Sequence, residues 1–493
     1  MIIMPSKKHK NKDDDIIVST IGGQATGVTG SVTLVSYKKK DNTKGCILLE
    51  LGGIQGNRDI KTEYIDNKKL LDKIKVENID YVFVCHSHQD HEQHLPYLIS
   101  HDKQFNGRII MYKDNLPITK ALLENSCKIH NSNVEYLHSK GYKYKPFYIQ
   151  ADSCNIMDYI DVYDLDILYK LSEEISFRFR SNSHVVGATQ LELFITKPSG
   201  VTKKILYTSD LGSPMNKKFK NFLTDNYIVS KANLVLIEST YGSDKKSFSK
   251  EDCIKERNEL KDIIQKFVLN EKHNVLIPCF SYGRLQDFMV WLYENFKDTW
   301  DYSIPIVIGS KLGVIINNVY SHILKGDNLE YWNEVKNWKA FKIIQDYKST
   351  ISFLTSKQNA LILSSSGMIS GGNSVSYTKE ILGNSNDCIC FCGYCADNTI
   401  GGKILNENNK VVEIDGSIIK KNCTIKRFNT FSSHAQQQDL VNYIKQINCD
   451  KIVLQHGDKE CKEELKEKLD DELSKINKTT KVIIANEDLQ IKL

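Results

Sequence analysis

The stretch Val84-Cys85-His86-Ser87-His88-Gln89-Asp90-His91 places three histidines and an aspartate within six residues. It continues the apolar run 81–84, which predicts a short buried strand. The cluster should therefore lie at a strand end and in the loop after it. Imidazole nitrogens and carboxylate oxygens are the ligands that zinc prefers. The alternative is a solvated loop that is rich in histidine without binding a metal, and only ligands from elsewhere in the chain can decide between the two.

Three isolated polar residues stand at the ends of other apolar runs. His184 follows the alternating run 175–180, Asp210 ends the run 205–209, and His456 ends the run 451–455. Layered α/β folds build their sites at such strand ends. Each residue alone would fit an ordinary loop, but together they complete two ligand sets. The first zinc is predicted to bind His86, His88 and His184, the second Asp90, His91 and His456, and Asp210 is predicted to bridge them.

Two metals held in this way indicate hydrolysis of a phosphodiester bond. Metals roughly 3.5–4 Å apart can share a hydroxide and clamp both oxygens of an in-line displacement. Metal-bound water titrates near pH 7, so the mechanism needs no separate general base. The leaving alkoxide still benefits from a proton donor, and His434 in Phe431-Ser432-Ser433-His434-Ala435 is the candidate. A neighbouring carboxylate, Glu238, would hold it protonated and oriented. The predicted catalytic residues are thus His434, Glu238 and the ligand Asp90.

The composition fits a cytoplasmic globular enzyme. The chain has 493 residues, of which 41% are hydrophobic and 26% charged, and no apolar stretch approaches the roughly 18 residues of a membrane span. The formal net charge of +5 permits a polyanionic substrate without requiring one. Thirteen cysteines, an odd number, favour free thiols over a disulfide framework.

The order of elements predicts one domain inserted into another. Residues 1–15 are Lys-rich and then acidic, without an apolar core, and are expected to form a disordered tail rather than a secretory signal. Short strands fill 16–243, strands and helices alternate over 244–405, and short strands return over 406–493. Because His456 should share a site with His86, the middle module is predicted to be the insertion. Ser249 is predicted to cap a helix running to about Asn270.

The only cysteine cluster comprises Cys388, Cys390, Cys392 and Cys395. The first three alternate with apolar residues, as one face of a strand would. Cys392 and Cys395 have the spacing of a redox or zinc motif, but no second such pair completes a zinc site. The pattern therefore favours a structural strand over a redox or metal role.

Taken together, these motifs resemble those of the β-CASP nucleases, which are built on the metallo-β-lactamase fold. The family includes the endonuclease subunit of the pre-mRNA cleavage and polyadenylation machinery, its bacterial and archaeal relatives, and RNase J. The resemblance extends from about Thr20 to His456. The motifs that carry it are His86-x-His88-x-Asp90-His91 with His184, Asp210 and His456, then Glu238-Ser239-Thr240-Tyr241-Gly242, Ser433-His434-Ala435 and His456-Gly457, with Gly283-Arg284-x-Gln286 and Ser366-Gly367-Met368.

The resemblance implies a fold, an activity and a cofactor. The fold is an αββα metallo-β-lactamase domain that carries an inserted α/β β-CASP domain as a cap, with an RNA-binding cleft between them. The activity is zinc-dependent cleavage of single-stranded RNA by two zinc ions, endonucleolytic in preference to the 5′-exonucleolytic mode of RNase J. In such enzymes the residue matching His434 assists at the leaving group, and the one matching Glu238 supports it. A homodimer is left open.

Residues of the cap are expected to contact substrate phosphates. Glycines let backbone N–H groups approach an anion closely, although the same residues also fit a plain strand-to-helix turn. Arg284 would either pair bidentately with a phosphate or brace the cap. The expected substrate-binding residues are Arg284, Ser366, Gly367, Gly371, Gly372 and Lys403.

Three positions depart from the family pattern. Glu50 stands where many relatives have Asp and is expected to support a metal-ligating histidine. His94 stands where a small residue is common and is expected to line the cleft wall rather than to bind metal. Gly402 stands where relatives often carry Arg, which leaves Lys403 as the nearby cation.

Two other functional classes compete with the ribonuclease. A small-molecule metallohydrolase on the same fold, such as a thioesterase or lactonase, would need neither the cap nor the Glu238/His434 pair. A catalytically inactive RNA-binding scaffold would have lost ligands, whereas all seven are present here.

Overall fold

The computed structural model describes residues 15–56, 59–101, 103–214 and 222–493, so nearly all of the predicted N-terminal tail lies outside the described residues. The strands are β1 Ile17–Thr20, β2 Thr33–Lys38, β3 Lys44–Leu49, β4 Tyr81–Val84, β5 Arg108–Tyr112, β6 Ile160–Tyr163, β7 Tyr169–Lys170, β8 Ile175–Ser181, β9 Thr189–Thr196, β10 Thr202–Tyr207, β11 Lys231–Glu238, β12 Val275–Pro278, β13 Ile306–Gly309, β14 Phe341–Ile343, β15 Leu361–Ser364, β16 Cys388–Phe391, β17 Val411–Ile414, β18 Ser417–Lys420, β19 Thr424–Arg427, β20 Asn448–Gln455, β21 Lys481–Ile484 and β22 Gln490–Lys492. The α-helices are α1 Ile60–Asp72, α2 Gln89–Glu92, α3 Leu116–Ser139, α4 Gln150–Asn155, α5 Lys250–Ile263, α6 Arg284–Phe296, α7 Lys311–Ile323, α8 Gly326–Lys336, α9 Tyr347–Thr355, α10 Asn373–Ile381, α11 Ile400–Leu405, α12 Gln437–Lys445 and α13 Lys459–Lys475.

Two seven-stranded sheets pack face to face and form the first domain. Their strand orders are β22-β1-β2-β3-β4-β5-β6 and β21-β20-β11-β10-β9-β8-β7. The core between them is apolar and aromatic; for example, the rings of Phe83 and Phe177 lie 5.1 Å apart, edge to face. Helices α1 and α3 cover the outer face of the first sheet, and α12 and α13 cover that of the second. The predicted αββα arrangement is confirmed.

Strand β11 shows why an unbroken apolar run forms a central strand. It lies between β10 and β20 in the second sheet, and both of its faces are covered. Leu234 and Leu236 point into the core between the sheets, whereas Val235 and Ile237 pack beneath α12 and α13. A strand that is buried on both faces needs apolar residues at every position rather than at alternate ones.

Parallel pairing places several strand ends at one edge of the second sheet. Strands β10, β11, β20 and β21 are parallel neighbours. Strand β8 runs in the same direction as β10, because each is antiparallel to β9. The carboxyl ends of β8, β10, β11 and β20 therefore meet at the same edge, which is where the predicted ligands follow them.

The inserted domain is a six-stranded parallel sheet with the order β14-β13-β15-β12-β16-β19. Helices α5 to α8 cover one face and α9 to α11 cover the other. The insertion separates two neighbouring strands of the second sheet, since Glu238 at the end of β11 pairs with Gln455 at the end of β20. A bridge between Tyr241 and Gln436 marks where the chain leaves and returns.

The predicted end of the insertion at residue 405 falls too early. Strand β19 still pairs with β16, and Val412, Ile414 and Cys423 pack in the core of the inserted domain. The insertion therefore extends through Arg427. This boundary is not visible in the sequence, because β19 is a four-residue edge strand, Thr-Ile-Lys-Arg, whose partly exposed residues form no apolar run.

Two local predictions are confirmed. The Ser249 hydroxyl accepts a hydrogen bond from the backbone N–H of Asp252 at 3.1 Å, and α5 continues into a π-helical segment that ends at Asn270. Cys388 and Cys390 lie in buried strand β16. All thirteen cysteines are free thiols, and none belongs to a potential metal-binding group within the described ranges.

None of the helices in the described ranges is both long and apolar enough to span a membrane.

Candidate metal centre and cleft

The seven predicted ligands converge from four strand ends. His86 and His88 follow β4, and His88 directly precedes α2, so that Asp90 and His91 lie on this short helix. His184 follows β8, Asp210 follows β10, and His456 follows β20. Five of these residues are buried, and His88 and Asp90 are partly exposed toward the cleft.

A first group of possible ligands comprises His86, His88, His184 and Asp210. One nitrogen or oxygen atom of each lies within 4.8 Å of those of the others. His86 Nε2 lies 3.5 Å from Asp210 Oδ2, and His184 Nε2 lies 3.3 Å from His88 Nδ1. The three histidines that the sequence assigned to one metal are thus brought together.

A second group comprises Asp90, His91, Asp210 and His456, with the same spacing. His91 Nε2 lies 3.3 Å from Asp210 Oδ2, and His456 Nε2 lies 3.4 Å from Asp90 Oδ2. Asp210 is the only residue common to both groups. Its position between them is the one that the sequence predicted for a bridging carboxylate.

Buried polar atoms without partners show that this set fits a cation. His86 Nε2, His91 Nε2 and Asp210 Oδ1 are buried and have no hydrogen-bond partner among the described residues. Leaving a buried polar atom unpaired costs about 1–3 kcal/mol. Three such atoms with metal-ligand chemistry, grouped at one point, would be satisfied together by divalent cations.

Five of the seven candidate ligands are in the protonation state that binds metal. Burial lowers the pKa of His88 to about 4 and holds the pKa values of His86 and His184 well below the usual value, so these imidazoles are neutral. Burial also opposes ionisation of Asp90 and Asp210, but the charges of His91 and His456 outweigh it and keep the pKa of both carboxyls well below the usual range. Neutral imidazoles and ionised carboxylates are the forms that bind metal.

Glu50 supports the ligands in the way the sequence predicted. Its fully buried carboxylate contacts His91 Nδ1, which leaves His91 Nε2 to face the centre. It also accepts hydrogen bonds from the Tyr207 hydroxyl at 2.5 Å and the Ser209 hydroxyl at 2.9 Å. The Ser209 hydroxyl oxygen also lies 3.1 Å from His86 Nδ1, so one hydrogen-bond network joins ligands of both groups.

Tyr207 and Ser209 were not identified from the sequence. A usable signal existed, because they stand two residues apart at the end of the strand that leads to Asp210. Residues two apart on a strand point to the same side. An unusual backbone conformation at three positions was also not identified from the sequence. Glu50, Ser209 and His456 have positive φ angles of 65°, 50° and 53°. The residue types gave no indication at Glu50 and Ser209, because Glu and Ser rarely adopt such angles.

His434 lies beside the centre and is oriented by Glu238. Its Nδ1 is 3.0 Å from Glu238 Oε2, and the backbone N–H of Leu211 donates to Glu238 Oε1 at 2.6 Å. Burial alone would lower the pKa of His434, but the Glu238 carboxylate outweighs it and raises that pKa to about 9. The ring of His434 lies 4.6 Å from that of His184. His434 belongs to neither ligand group, although with Asp210 and Glu238 it forms a third set of closely spaced atoms.

A cleft of about 3070 Å³ runs between the two domains and contains the metal centre. Five of the six expected substrate-binding residues line its wall: Arg284, Ser366, Gly371, Gly372 and Lys403. Gly367 is not among the lining residues, and a Cβ there would lie 3.3 Å from the backbone of Cys279. Close packing against Cys279 is thus one reason for a glycine here, and contact of Gly367 with a substrate phosphate stays a prediction.

The structure also decides several finer points. Arg284 Nη1 donates to the carbonyl of Cys392, so this side chain braces the cap while it lines the cleft. His94 lines the cleft and its Nε2 lies 2.7 Å from Asn67 Oδ1, outside every potential metal group in the described chain. A Cβ on Gly402 would lie 2.1 Å from the carbonyl oxygen of Ala396, so no arginine fits at this position.

Two family models match the chain. The Beta-Casp domain model matches residues 285–404, and the model of the Zn-dependent metallo-hydrolase RNA specificity domain matches residues 418–482.

Curated relatives match over most of this chain. Cleavage and polyadenylation specificity factor 73 of Drosophila melanogaster is 25% identical and covers 84% of this chain and 58% of its own. Endoribonuclease ysh1 of Schizosaccharomyces pombe is 24% identical and covers 78% of this chain and 48% of its own. An RNase J-like protein of Methanocaldococcus jannaschii is 24% identical and covers 86% of this chain and 90% of its own. The chain thus spans about half to three fifths of the first two relatives.

A solved structure shares the fold. The crystal structure of a protein of unknown function from Enterococcus faecalis V583 superposes with a TM-score of 0.53 at 13% identity, covering 97% of this chain and 100% of that one.

The contact between Gly52 and the ligand loop generates a test. A Cβ on Gly52 would lie 1.7 Å from the carbonyl oxygen of Asp90, so Gly52→Ala must displace the backbone that carries Asp90 and His91. We expect a stability cost of about 1–3 kcal/mol and a fall in bound metal, measured by thermal unfolding and elemental analysis. Gly383→Ala is the control, because its Cβ would make only ordinary contact at 3.6 Å. Wild-type metal content and stability in Gly52→Ala would show that this contact does not position the ligands.

Proposed function

The chain belongs to the β-CASP family of metallo-β-lactamase-fold ribonucleases, and on this premise we propose that it is a zinc-dependent ribonuclease that hydrolyses phosphodiester bonds within single-stranded RNA. The observation that carries the proposal is the shared Asp210, which belongs to both ligand groups. A carboxylate common to two groups holds two cations close enough to act on one phosphate.

We assign two zinc ions to the two groups. The first offers three imidazoles and a carboxylate and the second offers two of each, which suits the nitrogen and oxygen preference of zinc. Zinc bound there would supply Lewis acidity toward the phosphate oxygens and a water molecule of lowered pKa. The protein's own part is to fix the ligands, through Glu50 and the buried strand ends, and to exclude bulk water from them.

His434 is assigned as the proton donor. Its Nδ1 is held by Glu238, so its Nε2 is the atom left to deliver a proton to the leaving 3′ oxygen. The raised pKa of His434, caused by the Glu238 carboxylate against the effect of burial, keeps that proton in place at neutral pH. The products would be a 3′-hydroxyl and a 5′-phosphate.

The cleft favours a polymer over a small molecule. It lies between two domains and is lined by Arg284 and Lys403 of the inserted domain as well as by the metal ligands His88 and His456. One of the matching models is described as an RNA specificity domain. The thirteen free thiols are consistent with a reducing compartment such as the cytoplasm. An endonucleolytic mode is favoured by the relative named an endoribonuclease, whereas the RNase J-like relative supports a 5′-exonuclease as the alternative.

The mode of cleavage can be tested on a substrate without ends. An endonuclease should open a single-stranded RNA circle into a linear product, whereas a 5′-exonuclease should leave the circle intact and degrade only its linear form. We expect opening of the circle, resolved by denaturing electrophoresis. A perfect duplex of the same sequence should be cut far more slowly, because the binding of one extended strand does not accommodate paired bases. Failure to cut either form of the single strand would overturn the ribonuclease assignment.

The metal assignment predicts about two zinc ions per chain by elemental analysis of protein purified without chelator. His88→Ala should lose bound zinc and nearly all RNA cleavage, because it removes an imidazole ligand. His322→Ala is the matched control, since His322 is an exposed histidine on α7 away from the cleft. Full activity at a zinc content near zero would contradict the assignment.

The role of His434 predicts a substrate-dependent defect. His434→Ala should lower the cleavage rate by roughly 10²–10⁴-fold while zinc content stays near wild type. Glu238→Gln should be milder, because it removes only the charge that favours the protonated imidazole. An RNA with sulfur in place of the scissile 3′ oxygen has a leaving group that hardly needs the proton. That substrate should restore His434→Ala but not His88→Ala; equal impairment of both variants on both substrates would exclude His434 as the donor.

A further inference from the structure

The cleft continues well beyond the metal centre, along helices α1 and α3. Lys61, Tyr136, Lys140 and Tyr142 line the same cavity as His88 and His456. Helix α3 passes near the ligands, where the Gln89 side chain donates to the Ser126 hydroxyl at 2.8 Å. From there it runs on for about 20 Å to its C-terminal end, at about 1.5 Å per residue. The chemistry proposed above uses nothing in this arm of the cleft.

The segment at the end of α3 alternates basic and aromatic residues. It reads Lys140-Gly141-Tyr142-Lys143-Tyr144-Lys145, and all three of its lysines are exposed. No ion pair in the described chain involves Lys140, Lys143 or Lys145, and the ammonium of Lys140 lies 5.4 Å from the centre of the Tyr136 ring. Two of the acidic residues that line this arm have partners nearby in the sequence: Asp59 caps α1, and Asp66 pairs with Lys69. The lysines are therefore free to bind an anion.

The aromatic rings of this region form a ladder. Tyr142 stacks on Tyr144 with ring centres 5.6 Å apart, and Tyr144 stacks on Tyr64 at 4.4 Å. The series continues inward through Phe147 to His130. Its outermost ring, Tyr142, is 37% exposed, and the ammonium of Lys61 lies 4.5 Å from the centre of that ring. The ladder ends in a partly exposed ring, which a further planar group can reach by displacing the Lys61 ammonium.

The backbone holds this surface in place. Gly141 has a φ of 87°, which suits glycine, and it lets α3 end with hydrogen bonds from Gly141 N to His138 O at 2.9 Å and from Tyr142 N to Leu137 O at 3.1 Å. The Tyr64 hydroxyl donates to the carbonyl of Lys145 at 2.7 Å. Because Tyr142 is positioned before any ligand arrives, binding there loses little conformational entropy.

We propose that this segment, which we call the tyrosine arm (residues 140–145 with Lys61), is a second binding subsite for single-stranded RNA, separate from the metal centre. A base displaces the Lys61 ammonium and stacks on Tyr142, and Lys61 and Lys140 bind the adjoining phosphates. Stacking tolerates any base, and lysines bind phosphates without reading sequence. The inference rests on the proposed function for the identity of the polymer. Continuity of the cavity implies that one strand occupies both the tyrosine arm and the metal centre.

The test is equilibrium binding of RNA to the zinc-loaded protein. Fluorescence anisotropy is measured with phosphorothioate-protected single-stranded RNAs of roughly 4 to 16 nucleotides, and gels confirm that the RNA stays intact. Affinity should rise stepwise once the strand is long enough to reach the tyrosine arm. Tyr142→Ala should weaken binding of the long RNA by roughly 5- to 150-fold, the range expected for one lost base–aromatic stack. It should leave binding of the shortest RNA unchanged.

Matched variants separate stacking from loss of folding. Tyr142→Phe keeps the ring and should bind long RNA like wild type, and Tyr302→Ala removes another exposed tyrosine, 58% exposed, that does not line the cleft. Lys140→Glu should weaken long-RNA binding and reduce its salt dependence. Photocrosslinking of a long RNA followed by mass spectrometry should identify Tyr142 or a residue next to it.

Several outcomes would overturn the proposal. One is equal binding of long RNA by wild type and Tyr142→Ala. Another is equal binding of an abasic phosphodiester chain of the same length, which would reduce the arm to a plain anion surface. Competition by poly-glutamate as strong as that by RNA would indicate an acidic protein partner instead. Failure of the proposed function looks different, because RNA cleavage would then be absent while the Tyr142-dependent binding step remained.

Discussion

The structure depends on a buried negative charge, the carboxylate of Asp210, held among imidazoles at the edge of two packed sheets. Burying a carboxylate in a protein interior is unfavourable unless positive charge compensates for it. Here much of the compensation comes from His91, which follows β4, and from His456, which follows β20. The carboxyl ends of β4, β10 and β20 must therefore lie together, and the face-to-face packing of the two sheets is what brings them there.

The same constraint ties the inserted domain to the site. The insertion begins just after Glu238 and ends just before His434, and it separates two hydrogen-bonded neighbours, β11 and β20. Glu238 and His434, which contact each other, thus flank the insertion on its two sides. His456 follows at the end of β20. The backbone N–H of Ala435 donates to the carbonyl of Leu211 at 2.7 Å, which fixes the returning chain beside Asp210.

Polar support for the ligands extends one layer deeper than the ligands themselves. Glu50, Tyr207 and Ser209 form a buried network whose members touch His86 and His91. Buried polar groups of this kind are retained only when each finds partners. Glu50, Ser209 and His456 have positive φ angles, and each of them turns the chain sharply at a strand end.

The sequence by itself determined the ligand types, their order along the chain and the αββα fold with its insertion. Apolar runs that stop at His, Asp or Glu identify strand ends. Each of these patterns lies within a few consecutive residues, so it can be recognised without the tertiary structure. The roles of the glycines were predicted only in part. Gly371 and Gly372 line the cleft as expected. A Cβ on Gly367 would lie 3.3 Å from the backbone of Cys279, and one on Gly402 would lie 2.1 Å from the carbonyl oxygen of Ala396. Only the tertiary structure decided the end of the insertion at Arg427, the network around Glu50, the bracing contact of Arg284 and the tyrosine arm. Each of these depends on contacts between segments far apart in the chain. Hydrophobic periodicity and composition do not indicate such contacts.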